Sequence, residues 1–274
     1  METPSAEDAS KALAGAQRFL AAQGAPLDLL RLEVLLGERP CAALEQALAP
    51  LFVSTSGDAC VALEVLEALA DAGCLRGGLA DRVAVSLQES QQPDGSWRAP
   101  GREAPPAPKP AGPPVGARDA LFLTAMLGAF LGRTARSSAA ALRAAGGYLA
   151  VHWSPELVQA GSWHAISGYA HFFSNVPHEI SDAVLQWCGR ELERAFRLGA
   201  FDAVRAARVF TLCDAHALPG AKLDAIELVP ALLRAQSADG GWPAPTTPMR
   251  VSDTLWAALA LVKLRPRSWR RGAR

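Results

Sequence analysis

The sequence predicts an all-α protein in which six outer helices alternate with six inner ones, an (α/α)6 barrel. Three observations lead there. Half of the 274 residues are hydrophobic, Ala and Leu dominate, and β-branched alternation is missing. Helix-length runs alternate between amphipathic and apolar on every side, and a helix apolar all round is buried all round. Finally, Gln91-Gln-Pro-Asp-Gly-Ser-Trp97 recurs as Gln236-Ser-Ala-Asp-Gly-Gly-Trp242, each time after an amphipathic run and before an apolar one. Such recurrence marks a fold of stacked units.

In chain order, residues 1–7 read as disordered and 8–264 as a single domain. The outer helices are predicted over 8–22, 41–50, 79–91, 137–150, 180–197 and 221–236. The inner ones are predicted over 27–36, 58–72, 119–132, 161–173, 202–215 and 253–264. Asp28, Asp58, Asp119, Asp202 and Asp253 stand where inner helices begin, and an N-cap carboxylate there accepts from free N–H groups of the first turn. Pro230 falls inside an outer helix, where a kink is expected. Residues 98–116 hold seven Pro and form an insertion loop, a lid or a plain surface loop. The tail, 265–274, carries five Arg and Trp269; peripheral contact with an anionic membrane is the most it offers.

The repeated motif has a physical logic. Gln ends an outer helix, Asp-Gly turns the chain, with Gly supplying a positive φ, and Trp fills the gap beneath the next hairpin. Trp97 and Trp242 lie 145 positions apart, three units of about 48 residues, the length of a two-helix repeat.

These two segments resemble the QW motifs of the terpenoid cyclase and protein prenyltransferase superfamily. The resemblance covers the motifs and the helix after each, and implies an α/α toroid. It implies terpenoid-type natural-product chemistry, cyclisation or isomerisation, on an isoprenoid or polyene. The chain departs from the family in its acids. Class II cyclases carry Asp-x-Asp-Asp at an inner helix; Arg250-Val-Ser-Asp253 keeps only the last Asp and puts Ser252 in the acid's place, while Gly116-Ala-Arg-Asp119 puts Arg118 there. No Asp-Asp-x-x-Asp occurs. Asp58-Ala-Cys60 has the spacing of the prenyltransferase zinc pair, without a His at the family's distance.

Candidate chemistry gathers in Gly161–His178. His164 and His171 stand two helical turns apart on one face with Ser167 and Gly168 between them. The two imidazoles, about 10 Å apart, are too distant to share a metal; they and Tyr169 are candidate acid–base groups, or else core residues. Trp163, Phe172, Phe173, Phe201 and Trp256 are candidate walls, suited to cation–π contact, or plain core. Parallel inner helices would bring their positive ends to one mouth, where Arg118 and Arg250 are candidates for anion recognition or surface ion pairs.

Equal numbers of basic and acidic residues, 27 each, argue against a nucleic-acid binder. No uncharged run reaches membrane-span length and no signal-peptide pattern opens the chain. The five cysteines read as reduced core residues of a cytoplasmic protein. The leading expectation is therefore a cofactor-free, terpene-cyclase-like enzyme that uses His-based proton transfer or shape alone. A non-catalytic lipid- or protein-binding toroid and a zinc-dependent prenyltransferase-like protein are the alternatives. A carbohydrate-active barrel, with Asp202 and Asp253 as its carboxylates, is weighed last.

Overall fold

The computed structural model describes residues 5–54, 57–101 and 115–265. The expectations for residues 1–4, for most of the Pro-rich insertion and for 266–274 of the tail lie outside the described residues. The protein is all-α, with thirteen helices among the described residues. They are α1 (Ala6–Ala22), α2 (Pro26–Leu36), α3 (Cys41–Ser54), α4 (Ala59–Asp71), α5 (Gly78–Ser90), α6 (Ala120–Arg133) and α7 (Ala139–Val151). After these come α8 (Pro155–Gln159), α9 (Trp163–Asn175), α10 (Ser181–Arg197), α11 (Ala203–Cys213), α12 (Ala225–Ala235) and α13 (Thr247–Lys263).

Residues 5–7 are ordered, contrary to the sequence reading. Ser5 caps α1 in a capping box with Asp8, two reciprocal bonds that hold the first turn. Asp58 and Asp202 cap α4 and α11 as expected. Asp119 stands at the cap of α6 and accepts from the Gly116 N–H at 2.6 Å rather than from the helix. Asp28 and Asp253 are not caps. Pro26 opens α2 ahead of Asp28, and Thr246, seven residues before Asp253, caps α13, which leaves Asp253 inside the helix. Pro230 does lie inside α12, and α3 runs on through Pro50.

Burial follows the apolar runs. Ala120 through Leu131 of α6 and Ala165 through Phe173 of α9 are buried without a break. Contacts among the apolar helices run α2 to α4 to α6 to α9 to α11 to α13, and α13 touches α2. The amphipathic helices pack outside them: α1 on α2 and α13, α3 on α2 and α4, α7 on α6, α10 on α9, α12 on α11 and α13.

The two repeated motifs have one geometry. The Trp97 indole N–H donates to the Leu87 carbonyl at 2.8 Å, and that of Trp242 to Leu232 at 2.9 Å. Their backbone N–H groups donate to Thr124 Oγ1 and Thr254 Oγ1 at 2.9 and 3.0 Å. The Gln91 amide donates to Gly95 of its own turn and to Ala141 of α7; Gln236 donates to Gly240 and to Ala12 of α1. Each motif ties one outer helix to another, and the second ties α12 to α1. Gly95 and Gly240 have φ of 88° and 90° and sit so close to the backbone of Ala144 and Gly15 that a Cβ would overlap it.

The cysteines correct the sequence reading. Cys41 and Cys74 form a disulfide between the start of α3 and the α4–α5 connection. Cys60, Cys188 and Cys213 are free, and burial pushes the Cys188 and Cys213 thiols up, so both are neutral.

Candidate functional site

The predicted His pair does not meet in one cavity. His171 is fully buried; its Nδ1 lies 3.4 Å from Met126 Sδ and its ring meets Phe130 edge-on. Burial, then the charges of Arg133 and Arg208, hold its pKa well below 6.5, so it stays neutral. Tyr169 is equally buried, donates its hydroxyl to the Leu149 carbonyl at 3.2 Å and stacks on Phe173. Phe172 packs against Gly128 and Gly146, and Phe201 is in the core. Of the mouth arginines, Arg250 is taken up by Asp239 at 2.7 and 2.8 Å and lies over the Phe19 ring. Arg118 is exposed, and its charge acts on Cys60 and Glu64 of α4.

His164, Trp163 and Trp256 do come together. They line a cavity of about 380 Å³ at the N-terminal ends of α9 and α11, with Arg205, Ser252 and Asp253 completing its polar side. The two indoles stack at 5.7 Å with 17° between their planes, and the Trp163 N–H donates to the Arg205 carbonyl. His164 packs edge-on against Phe122. Burial and the neighbouring Arg205 keep its pKa below 6.5, leaving it a neutral base at pH 7.

Asp253 is the most perturbed acid of this group. Its residue is 4% exposed. Burial first, and the Asp202 carboxylate second, raise its pKa to about 6, against the opposing pull of Arg205. A carboxylic acid that titrates near pH 6 keeps a protonated fraction close to neutrality and is suited to proton transfer. The sequence reading took Asp253 first as a cap and only last as a carboxylate of a carbohydrate-active barrel, and it passed over Arg205. A signal was present: Thr246-Thr-Pro248 is an N-cap followed by Pro in the first turn, and moving the start of α13 there turns Asp253 from a cap into a wall.

Beneath the cavity, the interior is charged. The Arg208 guanidinium, 1% exposed, lies 5.2 Å from the centre of the Trp256 ring. From α11 it reaches α4, which is not its neighbour in the ring of contacts, and bonds Asp71 Oδ1 at 2.6 Å and also Glu67. Arg31 joins Asp71 and Asp28, and Lys263 donates to the Ala70 carbonyl at 3.2 Å. Burial opposes ionisation of Asp71, but Arg208 and Arg31 hold its pKa below the usual carboxylate value.

The Asp58-Ala-Cys60 pair is structural at close range: the Asp58 carboxylate accepts from the Cys60 N–H at 2.8 Å, and burial raises the Cys60 thiol. Among the described residues no three His, Cys, Asp or Glu side chains gather closely enough to hold a metal. Two further cavities, of about 480 and 450 Å³, flank His178 beyond the C-terminal end of α9. Comparison with known proteins gives no match to any family model, curated protein or solved structure.

Proposed function

We propose that the chain is an α/α toroid enzyme similar to the terpenoid cyclases, acting on a small unsaturated, isoprenoid-type substrate at the α9–α11–α13 mouth. The closed sequence of inner-helix contacts and the matched geometry of the two QW motifs support the toroid. The observation that carries the activity is Asp253, a buried acid with a raised pKa in the wall of a cavity faced by an indole stack.

In this reading Asp253 protonates a double bond or an epoxide oxygen. Trp163 faces the electron-poor carbon that results, and neutral His164 removes a proton from a neighbouring carbon. The proton given by Asp253 thus replaces one taken by His164, and the product is an isomer or cyclised isomer of the substrate. His171 and Tyr169 would act only by holding α9 in place. A cytoplasmic location belongs to this proposal as well, although the Cys41–Cys74 disulfide weighs toward an oxidising compartment; no helix among the described residues is long and apolar enough to cross a membrane.

The test is incubation of purified protein with isoprenoid alcohols, acids, diphosphates and epoxides, with products read by gas chromatography and mass spectrometry. An isomeric product that disappears in Asp253→Asn and slows in His164→Ala is the expected result. Turnover unchanged in Asp253→Asn would overturn the assignment of the acid.

The non-catalytic binding toroid has one observation of its own: the Arg208–Asp71–Glu67 cluster places charge in the interior where a long polyene would otherwise lie. Ligand-induced stabilisation without turnover of any substrate would favour it.

A further inference from the structure

The mouth cavity holds two polar side chains without a protein partner. Among the described residues, the Arg205 guanidinium has no hydrogen-bond or ion-pair partner; only its backbone is engaged, donating to Asp202 at 2.8 Å and accepting from Trp163. It stands in the first turn of α11 as a lining residue of the cavity. Asp253, nine-tenths buried and lining the same cavity, likewise has no hydrogen-bond partner among the described residues. Arg205 is half-buried and both side chains border the cavity, so a ligand entering it can satisfy them.

We infer that the cavity binds a monocarboxylate with an unsaturated or flat body, its carboxylate held between the Arg205 guanidinium and a protonated Asp253. A guanidinium accommodates two carboxylate oxygens in a planar fork, and a neutral carboxylic acid donates a strong hydrogen bond to an anion. The N-terminal ends of α9 and α11 add positive potential at the same place. The charge of the site limits the ligand to one anionic group. A diphosphate would face the carboxylates of Asp202 and Asp253 with Arg205 as its sole full cation, since Arg250 is engaged by Asp239 and Arg118 is not among the residues lining the cavity. The ligand's body lies against Trp163, since the Trp256 ring is already engaged by both Trp163 and Arg208.

Proton linkage follows from the geometry. Asp253 faces Asp202 and Arg205 from α11 and His164 from α9, while on α2 Asp28 and Arg31 are paired with each other. An anion bound beside Asp253 favours its protonated form still further, so ligand and proton enter together. This inference rests on the proposed enzyme in one respect: the carboxylate would belong to the isoprenoid-type substrate of the same cavity.

The test is isothermal titration calorimetry on the intact protein with geranic acid, geraniol and trans-cinnamic acid, between about pH 6.5 and 8.5, where both acids are ionised. The expected result is binding of geranic acid but not geraniol. Its affinity should fall about tenfold per pH unit above the titration of Asp253. In Asp253→Asn that slope flattens, and in Arg205→Gln affinity falls by about 10- to 100-fold. Equal binding of geraniol and geranic acid, untouched by Arg205→Gln, overturns the carboxylate site and leaves the isoprenoid reading standing. Binding of cinnamate alone, with the same Arg205 dependence, supports the carboxylate site and overturns the isoprenoid substrate. Failure of both acids to bind, or a wild-type affinity indifferent to pH, overturns the inference without any variant.

Discussion

Replacing Asp253 with Asn should stabilise the protein at neutral pH, an outcome rarely expected of a buried residue. Its folded pKa of about 6, against 3.8 for a free Asp, means that the folded protein holds this proton more tightly than the unfolded chain. Below about pH 4 both states are protonated and the residue has no linkage cost. Between about 4 and 6 the unfolded state releases the proton first, so stability declines as pH rises. Above 6 the cost is complete. A gap of about two units, at about 1.36 kcal/mol each, sets an upper bound of about 3 kcal/mol, which solvent entering the cavity lowers. Asparagine keeps the shape of the protonated acid without the charge, so most of that penalty disappears. Urea denaturation of both proteins from about pH 4 to 8 reads it directly: the curves should converge near pH 4 and separate by about 1–3 kcal/mol above pH 7. A variant less stable than the wild type at pH 7, or an offset constant across the range, would refute the reasoning. It would show that the carboxylate has partners in the folded protein or titrates normally. The separation, if found, identifies a group retained at a cost to stability, as functional residues often are.

Three further outcomes follow from the interior and the repeats. Arg208→Met should cost about 2–4 kcal/mol in urea unfolding at pH 7, because it leaves buried Asp71 with Arg31 as its remaining ion-pair partner and Glu67 without Arg208; a loss below about 1 kcal/mol would mean that water reaches the pair. Gly240→Ala and Gly95→Ala should each cost more than about 2 kcal/mol, since a Cβ would sit 2.3 Å from the Gly15 oxygen or 2.2 Å from the Ala144 oxygen. Gly147→Ala is the control: with nothing within 4 Å of its Cβ and a helical backbone, it should leave stability level or raise it by about 0.5–1 kcal/mol. Removing the disulfide with Cys41→Ser and Cys74→Ser, which opens a sequence separation of 33, should lower stability by about 4 kcal/mol under oxidising conditions and by nothing in excess reductant.

The helices were legible because their signals are local or periodic. Runs such as Ala120–Leu131 have no polar face, so burial was forced, and Gln-x-x-Asp-Gly-[Ser/Gly]-Trp fixed the turns at Gly95 and Gly240. Three things were not legible. Helix α8 spans only five residues, too short to show a period. The Cys41–Cys74 pairing depends on how the start of α3 lies beside the α4–α5 connection, which no spacing encodes. The start of α13 was misplaced because Asp253 resembles its counterparts Asp58 and Asp202, both true caps.

That last displacement accounts for most of what the sequence reading missed in the site. Helical spacing rightly put His164 and His171 on one face, but spacing says nothing about depth, and seven residues along α9 run from the mouth into the core. The same progression occurs on α11, where Arg205 borders the cavity and Arg208, one turn deeper, is sealed among Asp71, Glu67 and Trp256. It occurs again on α13, where Asp253 faces the cavity and Lys263, at the far end, is buried enough for its pKa to drop to about 8. Chemistry on these helices is therefore sorted by distance from their N-terminal ends: groups nearer those ends line the cavity, and those beyond them meet each other. Under the proposed function, ligand choice would change through residues such as Ser252 and Arg205 while the charged interior below stays fixed. Substitutions at those two positions should accordingly alter ligand binding far more than stability, whereas substitutions at Arg208 and Asp71 should do the reverse.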